Sequence, residues 1–158
     1  MSKYIHPITK EAATEVAFYL RPDDFREVYE GHGENPLISI PRDAMTGDSI
    51  YFTTPNGKTA GVAGVQKGGL IWMLCTPEIE KVPHTFARQA KKFIDSRTEP
   101  LLWNIVDKRN NVHLKLLQFL GFKFLRELKY GHNQLTFIEF CKCVIPQSPN
   151  SDSQQPDK

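Results

Sequence analysis

The chain has 158 residues, 40% of them apolar and 24% charged, which is the size and make-up of one globular domain with its own core. Twenty basic against 18 acidic residues leave a net charge of +2. That balance carries no strong nucleic-acid signal, because such binders usually gather an excess of Lys and Arg on one face. A first strand is expected over Tyr4–Ile8, and Thr9 is placed to cap the helix after it, whose apolar face is Ala12, Ala13, Val16, Ala17 and Leu20. Pro22 interrupts that helix, so a second one is expected from about Asp23 through FREVYEG. PLISIPRDAM reads as a helical turn or a short helix.

Strands dominate the middle of the chain. Ser49–Thr54 and Thr59–Val65 flank the turn Pro55–Lys58, and Gly68-Gly69 turns the chain into the continuous apolar run Leu70–Thr76. The small residues Ala60, Gly61, Ala63 and Gly64 suggest close approach of another backbone or a ligand, or a bulge. A helix is expected over Thr85–Ser96, with Phe86, Ala90, Phe93 and Ile94 inward and Arg88, Lys91, Lys92 and Asp95 in water. With that helix as crossover, Leu101–Val106 can run parallel to Leu70–Thr76. A helix over Asn111–Leu120 should end at Gly121, and a hairpin of Phe122–Lys129 and Asn133–Cys141 closes the domain. Residues 1–145 are thus one domain, and the polar stretch 146–158 is expected to be a disordered tail.

No run is long or apolar enough for a membrane span or an export signal, so the three cysteines read as reduced thiols in a cytoplasm. The lone C-x-C of Cys141 and Cys143 lacks the partners of a zinc site, and no metal is expected. Asp23, Asp24 and Glu27 share one helical turn. They read either as residues favoured by the helix dipole or as an acidic site, such as a contact for a substrate amine. His113 reads as a partly buried or capping residue.

The element order, together with NNVHLKLLQFLGF from Asn110 to Phe122, resembles the GNAT acyltransferase superfamily. Asn110, Leu116, Gly121 and Phe122 occupy the matching places. The resemblance implies an α+β fold: a mostly antiparallel mixed sheet with one parallel pair, its fourth and fifth strands, flanked by helices. If a coenzyme is held, the resemblance puts acetyl-CoA against Leu74, Thr76, Thr85, Asn104 and Asn110. The runs LRPDDFREVY, IWMLCT and LLWNIVDKRNN further resemble a family of small tailed-phage proteins, which includes a small internal virion protein and relatives labelled acetyltransferases. That likeness implies phage virion or host proteins as partners, and the host cytoplasm or the virion as location.

Two departures from the superfamily bear on chemistry. Its diphosphate loop, Q/R-x-x-G-x-G/A, lets backbone N–H groups reach the phosphates. The corresponding interval here, Pro77–Arg88, has no glycine, two donor-less prolines, and Glu78 and Glu80 where negative phosphate would sit. The tyrosine that often protonates the departing thiolate is replaced by Leu117, which carries no proton to give. The expectation is therefore a protein of virion assembly or the virion interior with a degraded acyl-CoA site, no cofactor and no catalytic residue. The alternatives are an acetyl-CoA-dependent N-acyltransferase acting on an amine, and a module that binds and blocks a host protein.

Overall fold

A computed structural model describes residues 3–143. Seven strands form one sheet in the order β1-β2-β3-β4-β5-β7-β6. They are β1 Ile5–Pro7, β2 Asp48–Thr53, β3 Thr59–Gln66, β4 Leu70–Cys75, β5 Leu101–Asp107, β6 Lys123–Tyr130 and β7 Leu135–Cys143. Every neighbouring pair is antiparallel except β4 and β5. The parallel pair forms because a helix carries the chain back between the two strands, as the sequence predicts. The expected tail at 146–158 lies outside the described residues, among which no helix is long and apolar enough to cross a membrane.

The helices split between the two faces of the sheet. On one face α1 (Lys10–Phe18) and α3 (Pro36–Ala44) bury Ala13, Val16, Ala17, Ile40 and Ala44 against Val62, Trp72 and Leu74. On the other, α4 (Pro83–Asp95) and α5 (Asn111–Phe119) bury Phe86, Ala90, Phe93, Ile94 and Leu116 against Phe52, Val65, Ile71 and Phe140. Thr9 does cap α1, its hydroxyl accepting from the Ala12 N–H at 3.1 Å. The ambiguous PLISIPRDAM is a full helix. Asn35 caps it by accepting from Leu37 N–H, Pro36 takes the first-turn position where no donor is needed, and Pro41 is tolerated inside. Between α1 and α3 lies α2, Pro22–Arg26, which runs on into a π-helical turn at Glu27–Gly31.

The feature that creates a site is the divergence of β4 and β5. Their register pairing is confined to Leu70 opposite Trp103, supported by Trp103 N–H donating to Gly69 O at 3.0 Å. One step on, Asn104 Nδ2 donates to Ile71 O at 2.6 Å, a side chain spanning the gap where a backbone bond would have been. Beyond that the strands separate and leave two facing edges with groups to satisfy.

Candidate functional site

The wedge between β4 and β5 is a cleft of about 550 Å³. Ile71, Met73 and Leu74 line it from β4, Asn104, Ile105 and Val106 from β5, and Leu117 and Phe140 from behind. Toward α3 its wall includes Glu34, Asp43, His32 and Tyr130. The indole N–H of Trp72, also in the wall, is buried without a partner among the described residues. An apolar throat with a few polar groups at one mouth is the usual make-up of a ligand pocket.

Antiparallel pairing fixes which backbone groups face the wedge. Thr76 N–H donates to Ala60 O, so Thr76, Leu74 and Trp72 direct their main-chain groups at β3, while Ile71, Met73 and Cys75 direct theirs at β5. The Cys75 pair does not wait for a ligand. Arg21 N–H donates to Cys75 O at 2.9 Å, and Cys75 N–H donates to Asp24 Oδ2 at 2.8 Å. On the opposite edge Asp107 N–H donates to Glu27 Oε1 at 3.0 Å. The segment from Arg21 to Glu27 therefore fills the wide end of the wedge with its own polar groups.

This plug is held by a buried network. Asp24, fully buried, accepts from Arg21 Nη1 at 3.0 Å and from Asn110 Nδ2 at 2.9 Å through Oδ1. Arg21, only 2% exposed, also donates Nε–H to Glu80 at 2.9 Å. His113 on α5 brings Nε2 to 3.5 Å from Asp24 Oδ2. Unpaired charge is costly away from water, so such residues persist only with this many partners. Asp24 does lie in the first turn of α2 and Glu27 in the first turn of the π-helical segment, as the dipole reading has it, but both are also buried against β4 and β5.

Burial pushes the Glu27 carboxyl up to about 8, helped by the negative charge of Asp24 and opposed by the hydrogen bond from Asp107. An unfolded chain loses that proton near 4.5, so between the two values the folded state holds a proton the unfolded state has lost. This contribution to stability is complete below 4.5, declines as pH rises, and levels off above about 8. Its slope is about 1.4 kcal/mol per pH unit. Glu27→Gln should flatten the slope, so urea midpoints of the two proteins diverge between pH 5 and pH 8 in favour of the variant. Parallel curves would contradict a neutral Glu27.

The five residues singled out from the resemblance are scattered. Leu74 and Asn104 line the cleft, Asn104 with its amide already used on Ile71 O and its Oδ1 accepting from Ile105 N–H. Thr76 donates its hydroxyl to Thr59 O and accepts from Glu78 N–H. Thr85 is half-buried in the first turn of α4. Asn110 is buried in the plug, bonded to Asp24. Sequence reasoning missed Arg21, Glu27 and Cys75 as members of one cluster. Apart from the local Arg21–Asp24 pair, the contacts that join them lie between 51 and 89 residues apart.

The interval after β4 is a 3-10 turn, Pro77–Lys81, followed by α4 with Pro83 in its first turn and no side-chain cap. Glu78 pairs with Lys81 at 3.2 Å, and Glu80 pairs with Arg21. Leu117 sits in the cleft wall at the position where the superfamily often has tyrosine.

No protein-family profile matches the sequence, and no curated protein matches it. Solved structures match by shape. An acetyltransferase of the GNAT family from Bacillus anthracis superposes with TM-score 0.65 at 11% identity, over 89% of this chain and 93% of that one. A ribosomal-protein-S5-alanine acetyltransferase from Vibrio fischeri gives 0.62 at 16% identity, over 94% and 97%. A spermidine N-acetyltransferase from Vibrio cholerae, in complex with CoA and spermine, gives 0.62 at 10% identity, over 89% and 94%. The chain thus has the GNAT acetyltransferase fold.

Proposed function

We propose that this chain is a GNAT-fold binding protein whose coenzyme lane is closed by its own segment Arg21–Glu27, so that it works by recognition rather than acyl transfer. The observation that carries this reading is the occupation of both Cys75 main-chain groups, by Arg21 N–H and by the Asp24 carboxylate. The pantetheine arm of CoA carries amides, and a wedge between two strand edges holds such an arm by pairing with those edges. Here the edge near the wide end is already paired, and the phosphates would meet a glycine-free turn bearing Glu78 and Glu80.

The closing segment also offers a surface for a partner. Phe25 and Tyr29 stack at 5.4 Å between ring centroids and are both exposed, and Phe25 lines a groove with exposed Phe18 and Leu37. Apolar surface of that kind on a small domain fits a protein partner. Following the resemblance to tailed-phage proteins, the partner is a component of the virion or of the host, the site of action the host cytoplasm or the particle, and no cofactor takes part. Co-purification with phage particles that is lost in Phe25→Ser/Tyr29→Ser would support the virion role. Particles of unchanged composition and infectivity after deletion of the gene would remove it.

A second reading, acetyl-CoA-dependent N-acetyl transfer to an amine, is favoured by separate observations. The structural neighbours are N-acetyltransferases, one of them with CoA bound, and they lend weight to this reading and none to a virion role. In addition, Glu34 and Asp43 line the cleft, each paired with Arg42 at 3.1 and 3.0 Å, and a cationic amine would have to take the place of that guanidinium. In this reading Leu74, Thr76, Thr85, Asn104 and Asn110 are the positions nearest a coenzyme, and the plug must swing aside. Thermal unfolding with acetyl-CoA separates the two. A ligand at 100 times its Kd adds about 2.7 kcal/mol, several degrees for a chain of this size. The closed-lane reading expects no shift at millimolar acetyl-CoA, and a saturable rise would establish the second reading in its place.

A further inference from the structure

Three chemically different side chains converge inside the plug. Asp24 comes from α2, Cys75 from the end of β4 and His113 from α5, and all three are buried. A carboxylate oxygen, a thiol sulfur and a ring nitrogen lie within 4.8 Å of one another. His113 is 5% exposed, and its Nε2 points into this group without a hydrogen-bond partner, 3.5 Å from Asp24 Oδ2. A buried ring nitrogen left unsatisfied is unfavourable, and buried polar atoms in folded proteins nearly always have a partner. Among the described residues the chain supplies none for it.

We propose that Asp24, Cys75 and His113 bind a divalent transition metal ion of the zinc class. Thiolate, imidazole and carboxylate together are the donor set such ions take, and three protein ligands leave one position for a fourth donor. Metal–ligand bonds of about 2.0–2.3 Å need donor atoms roughly 3.3–3.8 Å apart. The imidazole–carboxylate gap of 3.5 Å meets that already, and the sulfur has to close by about 1 Å at most. On binding, the Cys75 S–H bond breaks and an Sγ–metal bond forms. The proton leaves to solvent, and nothing is oxidised or reduced.

The surroundings suit the site. Asp24 Oδ1, the oxygen away from His113, is fixed by Arg21 and Asn110, the kind of outer partners that orient a ligating carboxylate. Arg21 places a positive charge nearby, but Asp23 and Glu80 pair with it as well as Asp24. A bound ion would tie α2 to β4 and α5. This inference stands on the cluster alone and does not depend on whether acetyl-CoA can enter.

The test uses the full chain, stripped with chelator and titrated with Co²⁺ as a spectroscopic stand-in. The expected result is uptake of one equivalent with a thiolate-to-cobalt charge-transfer band. Cys75→Ser should abolish the band, Cys141→Ser/Cys143→Ser should keep it, and His113→Gln should weaken Zn²⁺ affinity at least about 100-fold. Zn²⁺ should also raise the unfolding temperature of the unaltered protein, a readout independent of how well the variants fold. No stoichiometric uptake by the unaltered chain, or a band that survives Cys75→Ser, overturns the proposal.

Discussion

Asp24→Ala should lower the unfolding free energy by about 3–5 kcal/mol, the usual cost of removing one partner from a buried ion pair. For a chain of 158 residues that is a fall in Tm on the order of 10 °C. The substitution removes an acceptor from three donors at once: the Arg21 guanidinium, which keeps Glu80 and Asp23, the Asn110 amide, which keeps Glu27 at 3.5 Å, and the Cys75 N–H. Asp24→Asn separates the contributions. It retains an acceptor for Cys75 N–H but loses the charge opposite Arg21, so it should fall between alanine and the native protein. Urea unfolding of the three proteins checks the order. A loss below 1 kcal/mol for alanine would mean that the plug is held mainly by packing.

Gly69→Ala should be of similar severity, about 4 kcal/mol, for a different reason. Gly69 has φ +82°, and a Cβ there would lie 2.0 Å from Leu101 O, a backbone atom that cannot step aside without moving β5. Gly69 O also accepts the Trp103 N–H that joins β5 to β4. The added methyl therefore strikes the hinge of the wedge. Gly68→Ala is the control: φ is +90°, but nothing lies within 4 Å of its Cβ, so only the left-handed backbone is penalised, by about 1–2 kcal/mol. Equal losses at the two positions would remove the steric argument.

The scaffold was readable in the sequence because its signals are local. The inward residues of α4 recur at helical spacing, and the crossover between two apolar runs dictates the parallel pair. Gly121 ends α5 with φ +90°, as its place after Leu120 suggests. The missing glycines and surplus acids of the turn after β4 are equally local. PLISIPRDAM was ambiguous because Pro41 argues against the helix that Asn35 and Pro36 start.

The plug was not readable. Two acidic residues after Pro22 look the same whether they cap a solvated turn or bury themselves against strands 50 and 80 residues further on. Nothing near Asp24 announces that its partners are Cys75 and Asn110. A buried arginine such as Arg21 was the available hint, since in LRPDDF it precedes the acids it neutralises. Similarly, Cys75 reads as one more apolar residue in a strand, and His113 as a partly buried or capping residue, whereas both are buried. Their meeting at Asp24 is a product of tertiary packing alone.

The claim at the centre is that β4 cannot offer its Cys75 edge to a coenzyme while Asp24 and Arg21 hold it. Backbone amide spectra of ¹⁵N-labelled protein, recorded as acetyl-CoA is added to millimolar concentration, follow that edge residue by residue. Unmoved Met73 and Cys75 signals are the predicted result. Saturable shifts of both, with loss of the Asp24 contact, would contradict it.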